Sequence, residues 1–138
     1  MSVPTRPDVP RQFSTFLAFD FGAKRTGVAV GNRLLRTATA QPTIVAEGRE
    51  RLERAIERVG QWQPGAIVNG VPFHPDGAGH RDKHRARRFG RQLAARVRLT
   101  VYEVDERYST TEAIAGGARD ADAASACIIL EQFLRSIE

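Results

Sequence analysis

Two short β-type segments joined by four residues constrain the fold of this chain more than any other feature. The segments run from Phe16 to Phe21 and from Thr26 to Gly31, and the link between them reads Gly-Ala-Lys-Arg. Two β-type runs this close together predict an antiparallel hairpin. The first run is apolar except for Asp20, and a charged residue in such a run is costly unless it is paired or functional. Asp20 is therefore the first candidate for a functional carboxylate.

The rest of the chain alternates between helical and β-type patterns. Periodicity and turn signals predict a third short strand near 34–38 that is ended by Gln41-Pro42, then a helix over 49–62 and a strand over 66–68. A helix in the basic segment 81–98 and a strand over 99–104 follow. A capping box predicts a helix start at 109–112, and a last helix begins near Asp120. A strand, a helix and the next strand normally pair in parallel through a right-handed crossover.

This order predicts an α/β fold with one five-stranded mixed sheet, an antiparallel meander followed by parallel strands, and helices on both faces. The 138 residues suffice for one core and are too few for two comfortable domains. We expect a flexible N-terminal leader over residues 1–14 and a single domain over 15–138.

The chain has features of a cytoplasmic protein with no membrane association. The region before Phe13 is polar and contains three prolines, and no stretch is long and apolar enough to span a bilayer. Its single cysteine, Cys127, excludes a disulfide framework and a multi-cysteine zinc site within the chain. Apolar neighbours predict that Cys127 belongs to the core.

Positive charge is concentrated in one segment of the chain. Residues 81–98 contain eight Lys or Arg and one acid, a net charge of +7, whereas the whole chain carries +5 and the remainder therefore −2. A basic cluster is typical of a surface that binds a polyanion, because each neutralised phosphate releases counterions. The alternative is a solvated helix face.

Three groups of acids come together in the predicted topology. Asp20 ends the first strand, Asp105-Glu106 follows the fifth, and Asp120 or Asp122 begins the last helix. Carboxyl ends of parallel strands share one edge of a sheet, which is where open α/β sheets form their sites. Carboxylates from several elements can hold Mg²⁺ for phosphodiester hydrolysis. Taken singly, each acid also has a structural explanation in a turn, an ion pair or a helix start.

Histidine supports no competing metal site. His74, His80 and His84 lie in or beside the arginine-rich segment, where positive charge opposes zinc binding. Asp20-Phe21-Gly22 is also a kinase triplet, but the other kinase motifs are absent.

Four blocks of this sequence resemble the YqgF/RuvX family of pre-16S rRNA nucleases, relatives of RuvC-like Holliday junction resolvases in the RNase H-like superfamily. The blocks are 17–31, 68–72 with Asp76-Gly77, 105–110 and 122–126, in the family's order. The resemblance implies an RNase H-like fold and a metal-dependent nuclease that matures the 5′ end of pre-16S rRNA. Two positions and one segment depart from the family pattern: Asn69, Tyr108, and the short segment between Glu112 and Asp122, which has Arg119 as its only basic residue.

By this resemblance the catalytic and metal-binding residues are Asp20, Glu106 and Asp122, with Mg²⁺ or Mn²⁺ as cofactor. The residues expected to bind nucleic acid are Lys24, Arg25, Arg81, Lys83, Arg85, Arg88 and Arg107. The expected partners are RNA (pre-16S rRNA) or branched nucleic acid, with ribosomal particles in addition, and the expected state is a monomer or weak homodimer. Two alternatives remain open: a junction resolvase, which needs two active sites on one branched substrate, and a non-catalytic RNA-binding ribosome-assembly factor.

Overall fold

The computed structural model describes residues 9–72, 80–105 and 121–137. In chain order the elements are β1 (Thr15–Phe21), β2 (Thr26–Asn32), β3 (Thr37–Ile44), α1 (Gly48–Trp62), β4 (Ala66–Val71), α2 (His80–Val97), β5 (Val101–Asp105) and α3 (Ala121–Ser136). The predicted helix start at 109–112 lies outside these residues. No helix within the described ranges is long and apolar enough to cross a membrane.

The five strands form one mixed sheet in the order β3-β2-β1-β4-β5. The first three strands form an antiparallel meander, and β4 and β5 lie parallel to β1 on its other side. The mixed five-stranded sheet predicted from the sequence is confirmed. The strand β1 is central, so its carboxyl end lies in the middle of the edge where β4 and β5 also end.

Helices cover both faces of the sheet, and β1 contributes alternate residues to each core. Leu17, Phe19 and Phe21 pack with residues of α1 and α2. Phe16 and Ala18 pack on the opposite face, against α3. Because a strand buried on both faces needs apolar residues at successive positions, β1 is apolar from Phe16 to Phe21 except at Asp20. Asp20 has the same parity as Phe16 and Ala18 and therefore belongs to the α3 face.

The third strand differs from its prediction. The sequence predicts it near 34–38 and before Gln41-Pro42, but β3 runs from Thr37 to Ile44 and includes both residues. β3 is an edge strand, where a proline that cannot donate a ladder hydrogen bond is tolerated. The register with β2 also shifts between Thr26 and Val28, opposite this part of β3. Leu34 lies in the preceding turn and is 87% exposed.

The buried face of α1 includes an arginine. The sequence predicts a helical stripe of Leu52, Ile56 and Val59, but the fully buried positions are Arg51, Ala55 and Val59, and the other two are partly buried. The most buried face of α1 therefore includes the residues one position before Leu52 and Ile56. Arg51 is 1% exposed, which makes it the largest fully buried side chain in the described part of the protein.

Residues 9–14 contact the domain through Arg33. Its guanidinium donates hydrogen bonds to the main-chain oxygens of Pro10 at 2.6 Å and Val9 at 3.1 Å. Val9 is buried in the core beneath α3. This part of the expected leader therefore packs on the domain, while the boundary at residue 14 stays a prediction.

Candidate active site

Asp20 lies near the carboxyl end of β1 with a glycine on each side. Its partner across the antiparallel ladder is Gly27 in β2, and its partner across the parallel ladder is Gly70 in β4. Residues directly opposite one another on neighbouring strands share a face of the sheet. The two lateral positions beside the Asp20 carboxylate therefore carry no side chains. A glycine inside a strand often marks a place where a ligand or another backbone comes close.

One of these glycines is covered by the first turn of α3. A Cβ atom at Gly27 would overlap the main-chain carbonyl of Asp122 and come within 3.1 Å of the Ala123 nitrogen. The backbone of Asp122 is thus in contact with the residue paired to Asp20. The structure brings two of the three acids identified from the sequence to the same end of the same sheet face.

Arg25 forms an ion pair with Asp122 at the surface of this region. Its Nε lies 3.0 Å from Oδ2 of Asp122, and the two side chains are 63% and 27% exposed. Arg25 belongs to the link between β1 and β2, so the hairpin connects a cation to the acid of α3. At this exposure the pair contributes at most about 1 kcal/mol to stability.

The link itself is held in a tight turn. The Gly22 nitrogen donates a 2.8 Å hydrogen bond to the Arg25 carbonyl oxygen. A Cβ at Gly22 would lie only 2.7 Å from that same oxygen, so the turn favours glycine there. Lys24 is exposed at the tip. The link, Val45 and Asp122 line an open cavity of about 520 Å³.

Several predicted site residues lie outside the described part of the chain. β5 ends at Asp105, so Glu106 and Arg107 come directly after the described residues. Arg81 lies in the α2 backbone, but its side chain is likewise outside the description. Within the described residues, no three His, Cys, Asp or Glu side chains form a group that could hold a metal ion. Asp20 and Asp122 carry carboxylate oxygens, the type of ligand that Mg²⁺ and Mn²⁺ prefer, so both residues fit such an ion. Two carboxylates alone do not complete the coordination of the ion.

The remaining basic residues lie on α2. Arg85 directs Nη2 toward the carbonyl oxygen of Ala23 at 3.5 Å and forms a 3.7 Å ion pair with Asp82. Arg88 is exposed three residues later. Lys83 lies in the first turn of the helix, partly buried. The first half of α2 therefore approaches the link from the sheet face opposite to α3.

Sequence reasoning missed the buried arginine of α1. Arg51 donates from Nε to the Ala46 carbonyl oxygen at 3.1 Å and from Nη2 to the Ala23 carbonyl oxygen at 2.6 Å. Its guanidinium carbon lies 4.0 Å from the centre of the Phe21 ring. The available signal was the i, i+4, i+8 spacing of Arg51, Ala55 and Val59, which indicates one helix face.

Comparison with known proteins identifies the relatives of this chain. A model of the RuvX family, described as Holliday junction resolvase, matches residues 14–136. A protein of a Polaromonas species named "Putative pre-16S rRNA nuclease" is 64% identical over 137 residues, covering 99% of both chains. A protein of the same name from Albidiferax ferrireducens is 65% identical and covers 94% of this chain and 83% of the relative.

Solved structures share the fold at low sequence identity. RuvC of T. thermophilus, solved with a Holliday junction substrate, superposes with a TM-score of 0.59 at 16% identity and covers 88% of this chain and 94% of that one. The yeast mitochondrial Holliday junction resolvase gives a TM-score of 0.55 at 12% identity, covering 96% and 80%. These similarities confirm the predicted RNase H-like fold.

Proposed function

The chain belongs to the RuvX family, and we propose that it is a metal-dependent nuclease that hydrolyses phosphodiester bonds in RNA. Its proposed role is maturation of the 5′ end of pre-16S rRNA in the cytoplasm, on the free transcript or on ribosomal particles. The observation that carries the proposal is the contact between Gly27 and the Asp122 backbone beside Asp20. Its close relatives carry the name of a pre-16S rRNA nuclease.

The proposed metal ligands are Asp20, Glu106 and Asp122, with Mg²⁺ or Mn²⁺ as the ion. When bound, such an ion supplies the positive charge that stabilises an in-line displacement at phosphorus. Asp20 contributes a carboxylate that is 7% exposed and fixed to the centre of the sheet. Asp122 contributes a more accessible carboxylate on the first turn of α3. Their different elements would hold the two groups at a fixed separation.

The described part of β5 supports Glu106 rather than Asp105 as the third ligand. Val104 packs on the α3 side of the sheet and pairs with Gly70, which in turn pairs with Asp20. Because side chains alternate along a strand, the same face recurs at every second residue. In the sequence, the next residue of that parity after Val104 is Glu106.

The link and α2 would bind the phosphates of the substrate. Lys24 and Arg25 lie beside Asp122, and Arg25 would bind a substrate phosphate in place of its ion pair with Asp122. Arg107 follows Glu106 in the sequence. Arg81, Lys83, Arg85 and Arg88 extend the positive charge along α2. This distribution suits a polyanion that crosses the carboxyl edge of the sheet.

Cleavage of a pre-16S rRNA 5′ fragment tests the proposal. We expect the wild-type protein to cleave in Mg²⁺ or Mn²⁺ and not in EDTA, and Asp20→Asn to lose cleavage while retaining RNA binding. Glu103→Gln is the matched control, because Glu103 lies in β5 but pairs with Arg87 of α2 on the other face. If the Asp20→Asn and Glu103→Gln variants cleave the RNA at the same rate, Asp20 does not belong to the active site. Intact binding without any cleavage by the wild type would instead support an assembly factor.

Branched DNA is the second candidate substrate, favoured by the family description and by the fold shared with RuvC. Resolution of a four-way junction requires two active sites and therefore a symmetric dimer. Light scattering beside a junction-cleavage assay separates the two substrates. We expect a monomer or weak homodimer that leaves the junction intact, and symmetric junction cleavage by a stable dimer would reverse the assignment.

A further inference from the structure

A second cavity lies on the opposite side of the link from the carboxylates. It has a volume of about 450 Å³, and its lining includes Arg49 and Arg51 of α1, Arg85 and Arg88 of α2, and the ring of Phe21. Among the described residues that line it, four are arginines and none is acidic. This composition selects for an anion.

Arg51 has unused hydrogen-bonding capacity in this cavity. Two carbonyl oxygens, of Ala46 and Ala23, accept hydrogen bonds from its Nε and Nη2. Its Nη1 is buried and has no hydrogen-bond partner among the described residues. A buried donor without an acceptor costs free energy, and a guanidinium matches the oxygens of a phosphate group in geometry and charge.

The charge of Arg51 is also poorly compensated. Burial and the neighbouring Arg85 lower the pKa of Arg51, while Glu47 and Asp82 act in the opposite direction with smaller effect. Asp82 is already 3.7 Å from Arg85 in an ion pair. The guanidinium stays charged in proteins, so Arg51 and Arg85 are two neighbouring cations, and of the two acids that act on Arg51 one is already paired with Arg85.

Two arginines that line the cavity reach the link, which in turn lines the active site. The carbonyl oxygen of Ala23 receives Nη2 of Arg51 at 2.6 Å and Nη2 of Arg85 at 3.5 Å from the basic side. Ala23 also lines the cavity that contains Arg25 and Asp122. A nucleic acid strand that crosses the link would therefore pass from one cavity to the other.

We propose that this arginine cavity binds a backbone phosphate of the nucleic acid strand, at a position removed from the phosphate that is hydrolysed. The inference rests on the proposed function for the identity of the strand. Arg51, fixed by two carbonyl oxygens and by the Phe21 ring, is the rigid anchor. Arg49 and Arg88, both exposed, provide the mobile cations at the opening.

Salt-dependent binding of a fluorescein-labelled single-stranded RNA tests this site in EDTA, where no cleavage is needed. We expect the double variant Arg49→Gln/Arg88→Gln to bind several-fold more weakly than wild type. The slope of log K against log salt should decrease in magnitude by roughly 0.7, the value for one phosphate of a single strand. Arg54→Gln is the matched control, since Arg54 is exposed on α1 and pairs with Glu50 away from the cavity. Equal affinities and slopes for the double variant and this control would overturn the proposal.

The side-chain Nε–H resonance of Arg51 tests the site in the wild-type protein, so the measurement does not depend on whether a variant folds. We expect RNA to shift this resonance and inorganic phosphate at matched ionic strength to leave it in place. A shift with inorganic phosphate and none with RNA would make the cavity a site for free phosphate and overturn the strand assignment. Because both measurements omit metal, they separate failure of this site from failure of Asp20-dependent cleavage.

Discussion

Gly27 lies beneath the first turn of α3, where its missing side chain admits the main-chain carbonyl of Asp122. Gly27 is also the cross-strand partner of Asp20. One glycine is thus paired with one acid and in contact with the backbone of another that lies about a hundred positions away in the chain. The geometry of the proposed site depends on this contact, and its consequences can be measured.

Replacing Gly27 by alanine should move the first turn of α3 away from β2. The new methyl group would overlap main-chain atoms, which cannot rotate away as a side chain can. We expect the free energy of unfolding to fall by about 1–3 kcal/mol and RNA cleavage to fall by about 100-fold, the cost of an ångström-scale misplacement. Urea unfolding and initial cleavage rates provide the two values.

Gly60→Ala is the control for this substitution. Gly60 lies within α1, and a Cβ there would meet no atom within 4 Å. Alanine should stabilise the helix by about 0.5–1 kcal/mol and leave cleavage unchanged. Wild-type cleavage by Gly27→Ala would show that the Gly27–Asp122 contact has no catalytic importance.

Replacing Arg25 by glutamine should affect RNA more than stability. The ion pair with Asp122 is largely exposed, so its loss should lower the free energy of unfolding by less than about 1 kcal/mol. RNA affinity should fall because a phosphate-binding cation is removed. Fluorescence anisotropy and urea unfolding measure these effects, with Arg54→Gln as the control. An RNA affinity equal to that of Arg54→Gln would remove Arg25 from the substrate-binding residues.

Asn69 should be replaceable by valine with a gain in stability. It is 2% exposed in β4, and its Nδ2 donates to the Ala86 carbonyl oxygen at 3.0 Å. Its Oδ1 is buried with no hydrogen-bond partner among the described residues. Removing that oxygen should offset the lost hydrogen bond and raise the free energy of unfolding by about 1 kcal/mol.

Asn69→Asp provides the comparison, because it keeps the shape and replaces the donor with a second acceptor. We expect it to lower the free energy of unfolding by more than about 2 kcal/mol. Urea unfolding measures the free energy of unfolding of both variants and of the wild type. A destabilised valine variant would mean that the hydrogen bond to Ala86 outweighs the unpaired oxygen.

Cys127 should react slowly with thiol reagents in the folded protein. Burial, with a smaller contribution from Glu131, raises the pKa of Cys127 from 9.0 to about 11. The thiolate, which is the reactive form, is therefore scarce at pH 8. The folded protein holds the thiol proton more strongly than the unfolded chain. The contribution of Cys127 to the free energy of unfolding is therefore fully present below about pH 9 and is lost as the pH rises toward 11.

Timed reaction with a chromogenic disulfide reagent at pH 8, before and after urea unfolding, measures this reactivity. We expect a large acceleration on unfolding. Cys127→Ala should also lose the part of the alkaline decrease in stability that comes from the thiol. Equally fast labelling of the folded and unfolded protein would contradict the assigned pKa.

Most strands and helices could be predicted because local pattern and burial agree. The hairpin of β1 and β2 follows from two apolar runs and a four-residue link, and both strands are found within one residue of their predicted bounds. The prediction for β3 is wrong because Pro42 is a strand breaker only where its nitrogen must donate to a neighbour. At the edge of the sheet that requirement disappears, and edge position is a tertiary property that no short window contains.

The candidate site was predictable in part for a related reason. Asp20 stands out locally, as a charge in an apolar run, whereas only family resemblance favours Asp122 over Asp120. The register that sets Gly27 and Gly70 beside Asp20 depends on strand pairing, which no local pattern in the sequence specifies. Cys127, predicted to belong to the core, packs against the core cluster on the α3 face and is partly buried. Arg51 was missed because arginine is rarely buried, so its i, i+4, i+8 spacing with Ala55 and Val59 did not predict a buried helix face.

Paramagnetic broadening by Mn²⁺ tests most directly whether the acids at this edge share a metal ion. Titrating Mn²⁺ into ¹⁵N-labelled protein should first broaden the amide resonances of Gly27, Gly70 and Ala123, and this local effect should be lost in Asp20→Asn. The same titration of Glu103→Gln should match the wild type. Broadening that is centred elsewhere, or that persists unchanged in Asp20→Asn, would contradict a metal-dependent site built on Asp20.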